Sequence, residues 1–112
     1  MTDLAAAVRD IVTPLSAGDY VEVVRRTEGR GMDAASMARV IGEYGRTTVQ
    51  PPDDAYDDLD VVEVEGRPVR TYDVRFPFYT AEEGRSDLEV VLLFTAEAGG
   101  RLAPTVYDIL VP

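Results

Sequence analysis

The sequence predicts an α+β protein: three N-terminal helices packed on one face of a curved four-stranded antiparallel meander sheet. Three observations carry this. Apolar residues recur at helical spacing only up to about residue 45. Beyond the connector that follows, apolar and polar residues alternate with period two. The alternating runs are joined by short Gly-bearing segments, as strands of a meander are. The expected organisation is a single domain over residues 1–112, with a helical layer at 1–45, an acidic connector at 46–58 and a sheet at 59–112.

The first helix is read from Leu4, Val8, Ile11, Val12 and Leu15, which fall on one stripe. Thr2 or Asp3 is expected to cap it, and Pro14 to stop or bend it near residue 13. Gly18 breaks the chain. Asp19 and Glu22 have the spacing of a capping box, so 19–28 reads as a short helix. After the Gly29-Arg30-Gly31 turn, Asp33 caps a third helix with Met37, Val40, Ile41 and Tyr44 on one face and Gly45 at its end. From Arg46 to Asp58 periodicity disappears. Pro51-Pro52 favours an extended path there, and Asp53, Asp54, Asp57 and Asp58 keep the chain solvated. Strands are expected at 59–65, 69–79, 87–96 and 104–111. Tyr72, Val74, Phe76 and Phe78 share a face, and Leu88, Val90, Leu92 and Phe94 point inward. Strict alternation in the last strand sets Val106, Asp108 and Leu110 opposite Tyr107, Ile109 and Val111. Val91 and Leu93 leave the outer face of the third strand apolar, so it is either partly covered or a surface for a partner.

Composition excludes several chemistries. The chain has 11 basic and 21 acidic residues, a net charge of −10, and no His, Cys or Trp. Ser-His-Asp and Cys-His nucleophile pairs, disulfides and the usual zinc and haem sites are therefore out, and no cofactor is implied. All the basic residues are Arg; Lys and Asn are absent, which suggests a GC-rich bacterial genome and removes Schiff-base chemistry. The negative charge argues against nucleic acid as a partner. No apolar run approaches the ~20 residues of a membrane span, and the N-terminus lacks a basic signal region, so no membrane association and a cytoplasmic location are expected.

The most distinctive stretch is Thr80-Ala81-Glu82-Glu83-Gly84-Arg85-Ser86-Asp87-Leu88. Arg85 could clamp a carboxylate or phosphate, with Ser86 and Asp87 completing a polar site. The structural alternative is a hairpin loop: Glu82 and Glu83 solvate it, Gly84 takes a positive φ, and Ser86 or Asp87 bonds backbone. In that case Arg85 pairs with Asp87 or Glu83. The acidic run Asp53, Asp54, Asp57, Asp58 and Asp60 invites a hard cation, but its spacing lacks the EF-hand pattern, so no metal is assigned and a solvated loop or docking surface is favoured. Tyr72, Phe76 and Phe78 read as plain core or as the lining of a pocket between helices and sheet, with Tyr72, Asp73, Tyr107 and Asp108 as acid–base groups, but alternation separates Tyr72 from Asp73 and Tyr107 from Asp108, so only a cross-strand pairing brings them together. Arg25, Arg26 and Arg30 form a small basic spot expected to pair with local acids.

Gly18-Asp19-Tyr20, Glu43-Tyr44-Gly45, Pro51-Pro52, the Asp-Val-Val run at 60–62, Glu83-Gly84-Arg85-Ser86-Asp87-Leu88 and Tyr107-Asp108-Ile109 together resemble a family of small uncharacterised bacterial domains. The resemblance covers nearly the whole chain. Some members of such families resemble immunity proteins of toxin systems. In relatives a Trp tends to precede the acidic loop, where this chain has Phe78-Tyr79. The layout of helices followed by a meander is also similar to the nuclear-transport-factor-2-like and cystatin-like superfold, a likeness of fold that assigns no function.

The functional expectation is an acidic, non-enzymatic protein-binding module, of immunity type, that neutralises a basic toxin through Asp53, Asp54, Asp57, Asp58, Glu82 and Glu83. The alternative is a small-molecule-binding or isomerase/cyclase-like protein using the Tyr72–Asp108 pocket. A third reading is a homodimer joined through Val91 and Leu93.

Overall fold

The computed structural model describes residues 4–112. The cap expected at Thr2 or Asp3 lies outside the described residues. Three helices come first: α1 spans Leu4–Ser16, α2 Tyr20–Thr27 and α3 Ala34–Tyr44. The five strands that follow form an antiparallel sheet: β1 Thr48–Val49, β2 Asp60–Glu63, β3 Thr71–Thr80, β4 Gly84–Ala96 and β5 Leu102–Leu110. Strands β2 to β5 make the expected meander, while the two-residue β1 shares with β2 the far edge of β3.

Helix α1 continues through Pro14 instead of stopping near residue 13. A proline inside a helix deprives the carbonyl four residues earlier of its donor. Here that carbonyl, on Asp10, accepts from Arg26 Nη1 at 2.6 Å. Near the helix end, the Thr13 and Ser16 carbonyls accept from Gln50 Nε2 (2.9 Å) and Thr48 Oγ1 (3.0 Å). Donors distant in sequence thus reach the Asp10 and Ser16 carbonyls and add a second bond at Thr13, whose carbonyl also accepts from Ala17 N at 3.2 Å. Asp19 caps α2 by accepting from Glu22 N at 3.3 Å. The Glu22 carboxylate holds Arg25 and Arg26 instead of completing the capping box. Asp33 caps α3 through Ser36 N at 2.7 Å, and Gly45 ends it at φ +78°.

The core lies between the helices and one face of the sheet. Val8, Ile11 and Leu15 of α1, Val23 of α2 and Met37 of α3 meet Val74, Phe76, Leu88, Val90, Leu92, Phe94 and Val106. Each fully buried Leu, Phe or Val side chain contributes about 1.5–3 kcal/mol relative to exposure. The inward row predicted for β4 is buried throughout.

The last strand departs from strict alternation. Val106 and Ile109 are both core residues although three apart, because the β4–β5 register slips between Val91 and Leu92. A bulge absorbs the extra residue and leaves both Tyr107 and Asp108 exposed. Asp108 therefore does not share the face of Val106, and Tyr107 is not opposed to it. On the outer face Val91 is buried despite facing away from the core, with Arg75 and Asp108 as its register partners.

The free edge of β5 is closed by the α2–α3 turn. Met32 N donates to Val106 O at 2.9 Å, Gly31 bridges to Val106 in parallel, and Arg30 Nε donates to Pro104 O at 3.1 Å. Such covering keeps an edge strand from recruiting another chain. Gly31 is required here: at φ +89° a Cβ would stand 2.0 Å from Val106 O.

Candidate functional site

The segment read as an extended, solvated acidic connector contains a docked element. A 3-10 turn at Asp53–Tyr56 buries Tyr56, whose ring stacks on Phe76 with centroids 5.0 Å apart and planes 16° from parallel. The Arg9 guanidinium lies 4.8 Å from the Tyr56 centroid and pairs with Asp53. Burial raises the Tyr56 phenol pKa, and the bond to Asp53 raises that of Arg9. Asp54, Asp57, Asp58 and Asp60 are exposed, and none is in an ion pair among the described residues. The turn, the bend that follows it and the first residue of β2 set these four carboxylates along one ledge. The local pattern missed Tyr56 as core because one apolar residue inside a short acidic turn shows no period.

The Thr80–Leu88 stretch is a tight hairpin in which β4 already begins at Gly84 (φ +72°). The Glu83 carboxylate accepts from Tyr44 Oη (2.9 and 3.1 Å), Ser86 Oγ (3.0 Å) and Thr80 Oγ1 (3.0 Å). Glu83 N in turn donates to Thr80 Oγ1, and Leu88 N to Ser86 Oγ. Glu82 accepts from Thr47 N and Thr47 Oγ1, both at 2.8 Å. These bonds, with Tyr44 first for Glu83 and Thr47 for Glu82, hold both carboxyls below their ordinary pKa. The two glutamates thus tie the hairpin to the end of α3 and to the approach to β1, and their oxygens are engaged within the chain. Arg85 pairs with neither Glu83 nor Asp87; it is exposed and in no ion pair among the described residues.

Between the ledge and the outer side of β3–β4 runs a groove of about 310 Å³, where Asp54, Asp58, Asp60 and Glu89 face Arg75, Arg85, Pro77 and Tyr79. It brings Asp54, Asp58 and Arg85 of the predicted set together. Arg75, Tyr79 and Glu89 were missed, although the outward positions of β3 (Arg75, Pro77, Tyr79) and their register partners Val91, Glu89 and Arg85 point to them. An adjoining hollow of about 340 Å³ is lined by Arg85, Ser86, Asp87 and Glu89 with the C-terminal Val111 and Pro112. Among the described residues no group of acids is arranged to hold a metal ion.

The predicted pocket residues do not converge. Phe76 and Phe78 are core, Tyr72 packs half-buried against it, and Tyr107 and Asp108 lie outside on the bulge. A cleft of about 810 Å³ does open at one margin of the helix–sheet layer, lined by other residues of α1, α2, β4 and β5. Arg25 and Arg26 sit on its wall, both paired with Glu22 as expected of that basic spot. Arg25 first and Arg26 second hold the Glu22 carboxyl down to about 2. Among the described residues no helix is long and apolar enough to cross a membrane.

Comparison with known proteins adds one relation. No curated protein and no solved structure matches the chain. A family model described as "Domain of unknown function (DUF7668)" matches residues 12–112, which takes in the end of α1, the other helices, the ledge and the whole sheet. The chain belongs to this family of uncharacterised domains.

Proposed function

We propose that the protein is an acidic protein-binding module that docks a basic partner on the ledge formed by Asp54, Asp57, Asp58 and Asp60. The observation that carries this reading is that, among the described residues, these four carboxylates have no ion-pair partner while the element presenting them is anchored by Tyr56 and Arg9. Fixed, uncompensated charge steers an oppositely charged partner and needs little ordering on binding. The adjacent groove adds Tyr79 and Pro77 as apolar contact and Arg85 as a donor free to meet an acid on the partner. The contact rim is narrower than the sequence implies, since Asp53, Glu82 and Glu83 are engaged within the chain. In its most specific form the partner is a basic toxin and the module its immunity protein.

Affinity capture from lysate of the source cells tests this, with the wild-type chain beside the D54N/D57N/D58N/D60N variant. A basic protein retained by the wild type, lost by the variant and eluted by salt supports the proposal. Equal retention by both chains, or retention indifferent to salt, contradicts it.

A further inference from the structure

We propose that the cleft between α1, α2 and the β4–β5 turn binds a small amphipathic anion: an oxyanion head, phosphate or carboxylate, on an apolar body. This site is separate from the acidic ledge and shares no residue with it. Its volume of about 810 Å³ suits a small molecule. Ala7 and Leu102 give it partly exposed apolar lining, with the buried Ile11, Phe94 and Pro104 behind them, and Arg25, Arg26 and Arg101 place three guanidiniums beside it. On a chain of net charge −10, that concentration of cations around one cavity stands out.

The arginines are held in position. Glu22 receives Arg25 Nε (2.9 Å) and Nη2 (2.5 Å) and Arg26 Nε (2.7 Å), while Arg26 Nη1 donates to the Asp10 carbonyl. Each guanidinium carries five N–H groups. Among the described residues the pinning leaves Nη1 of Arg25 and Nη2 of Arg26 over for a ligand. Arg101 is tethered from the other wall by Glu97 and Glu28. Behind the lining, Arg30 holds two of the cleft residues in place, through Nε to Pro104 O (3.1 Å) and through Nη1 to Glu28 (3.6 Å).

Two carboxylates also line the cleft. Glu28 already bridges Arg30 and Arg101, whereas Asp10 has no ion-pair partner among the described residues. Asp10 is therefore the group that opposes an anion, and removing its charge should tighten binding.

The test is an NMR titration of the full chain with hexyl phosphate, heptanoate, inorganic phosphate and hexanol. Saturable shifts at Ala7, Ile11 and Leu102 are expected from one or both amphipathic anions, with inorganic phosphate and hexanol at least about tenfold weaker. Arg25 and Arg101 are more than half exposed, so an R25Q/R101Q chain keeps its fold; it should bind at least about tenfold more weakly. D10N should bind more tightly than wild type. No saturable shift below about 10 mM for either amphipathic anion, shifts mapping elsewhere, or unchanged affinity in R25Q/R101Q would overturn the proposal.

Discussion

Replacing Gly31 by Ala should be among the most damaging single-methyl changes in the protein. At φ +89° an L-side chain costs about 1–2 kcal/mol of backbone strain. The added Cβ would also lie 2.0 Å from Val106 O and 2.7 Å from Val106 C, both backbone atoms that cannot swing aside. The turn must therefore retreat from β5, breaking the Met32 N–Val106 O bond at 2.9 Å, which is worth about 1 kcal/mol net. The expected total is about 2–4 kcal/mol, a fall in Tm of roughly 8–16 °C for a chain of this size. Gly18→Ala is the internal control. Gly18 has φ +77°, yet nothing lies within 4 Å of its Cβ position, so only the strain of about 1–2 kcal/mol applies. Urea denaturation of both variants separates the two contributions. If Gly31→Ala costs no more than Gly18→Ala, the close approach of the turn to β5 is refuted.

Tyr56→Ala should destabilise by about 3–5 kcal/mol by emptying the place against Phe76, and hydrogen exchange at 53–58 should accelerate sharply because the ledge loses its anchor. Tyr44→Phe should cost about 1–2 kcal/mol in urea denaturation, as Glu83 loses a donor and Ser86 Oγ its contact with the phenol oxygen. Acid should destabilise the chain through Glu22. Its carboxyl is lowered to about 2 in the folded protein, so its contribution is present above the unfolded value near 4 and fades as pH drops toward 2. The urea midpoint of Glu22→Gln should therefore vary less over that interval than that of wild type; parallel curves would contradict the pairing.

The elements were readable from the sequence where one local signal decided them. The stripe from Val8 to Leu15, the caps at Asp19 and Asp33, and the inward row from Leu88 to Phe94 each follow from spacing alone. What escaped depends on contacts between distant segments. Pro14 is carried inside α1 with Arg26, sixteen residues beyond Asp10, supplying a donor to Asp10 O. Strand β1 exists because Tyr79 and Thr80 pair with it, and the β5 bulge reverses the facing of Asp108 through a register no single strand displays. The sequence reads the Glu82-Glu83 pair as solvating its loop or as part of a contact rim, and it is Tyr44 and Thr47, 35–39 residues earlier, that engage both carboxylates within the chain. The arginine cleft was visible only as the Arg25-Arg26-Arg30 spot. Its other wall, Arg101 with Leu102 and Pro104, reaches it through the fold.

The central claim is that the ledge acts through fixed negative charge, and stopped-flow association kinetics of a captured basic partner test it most directly. Between about 50 and 500 mM salt the wild-type association rate should fall at least about tenfold, while D54N/D57N/D58N/D60N should associate slowly at low salt and respond weakly to it. Equal rates and equal salt dependence for the two chains would contradict the account.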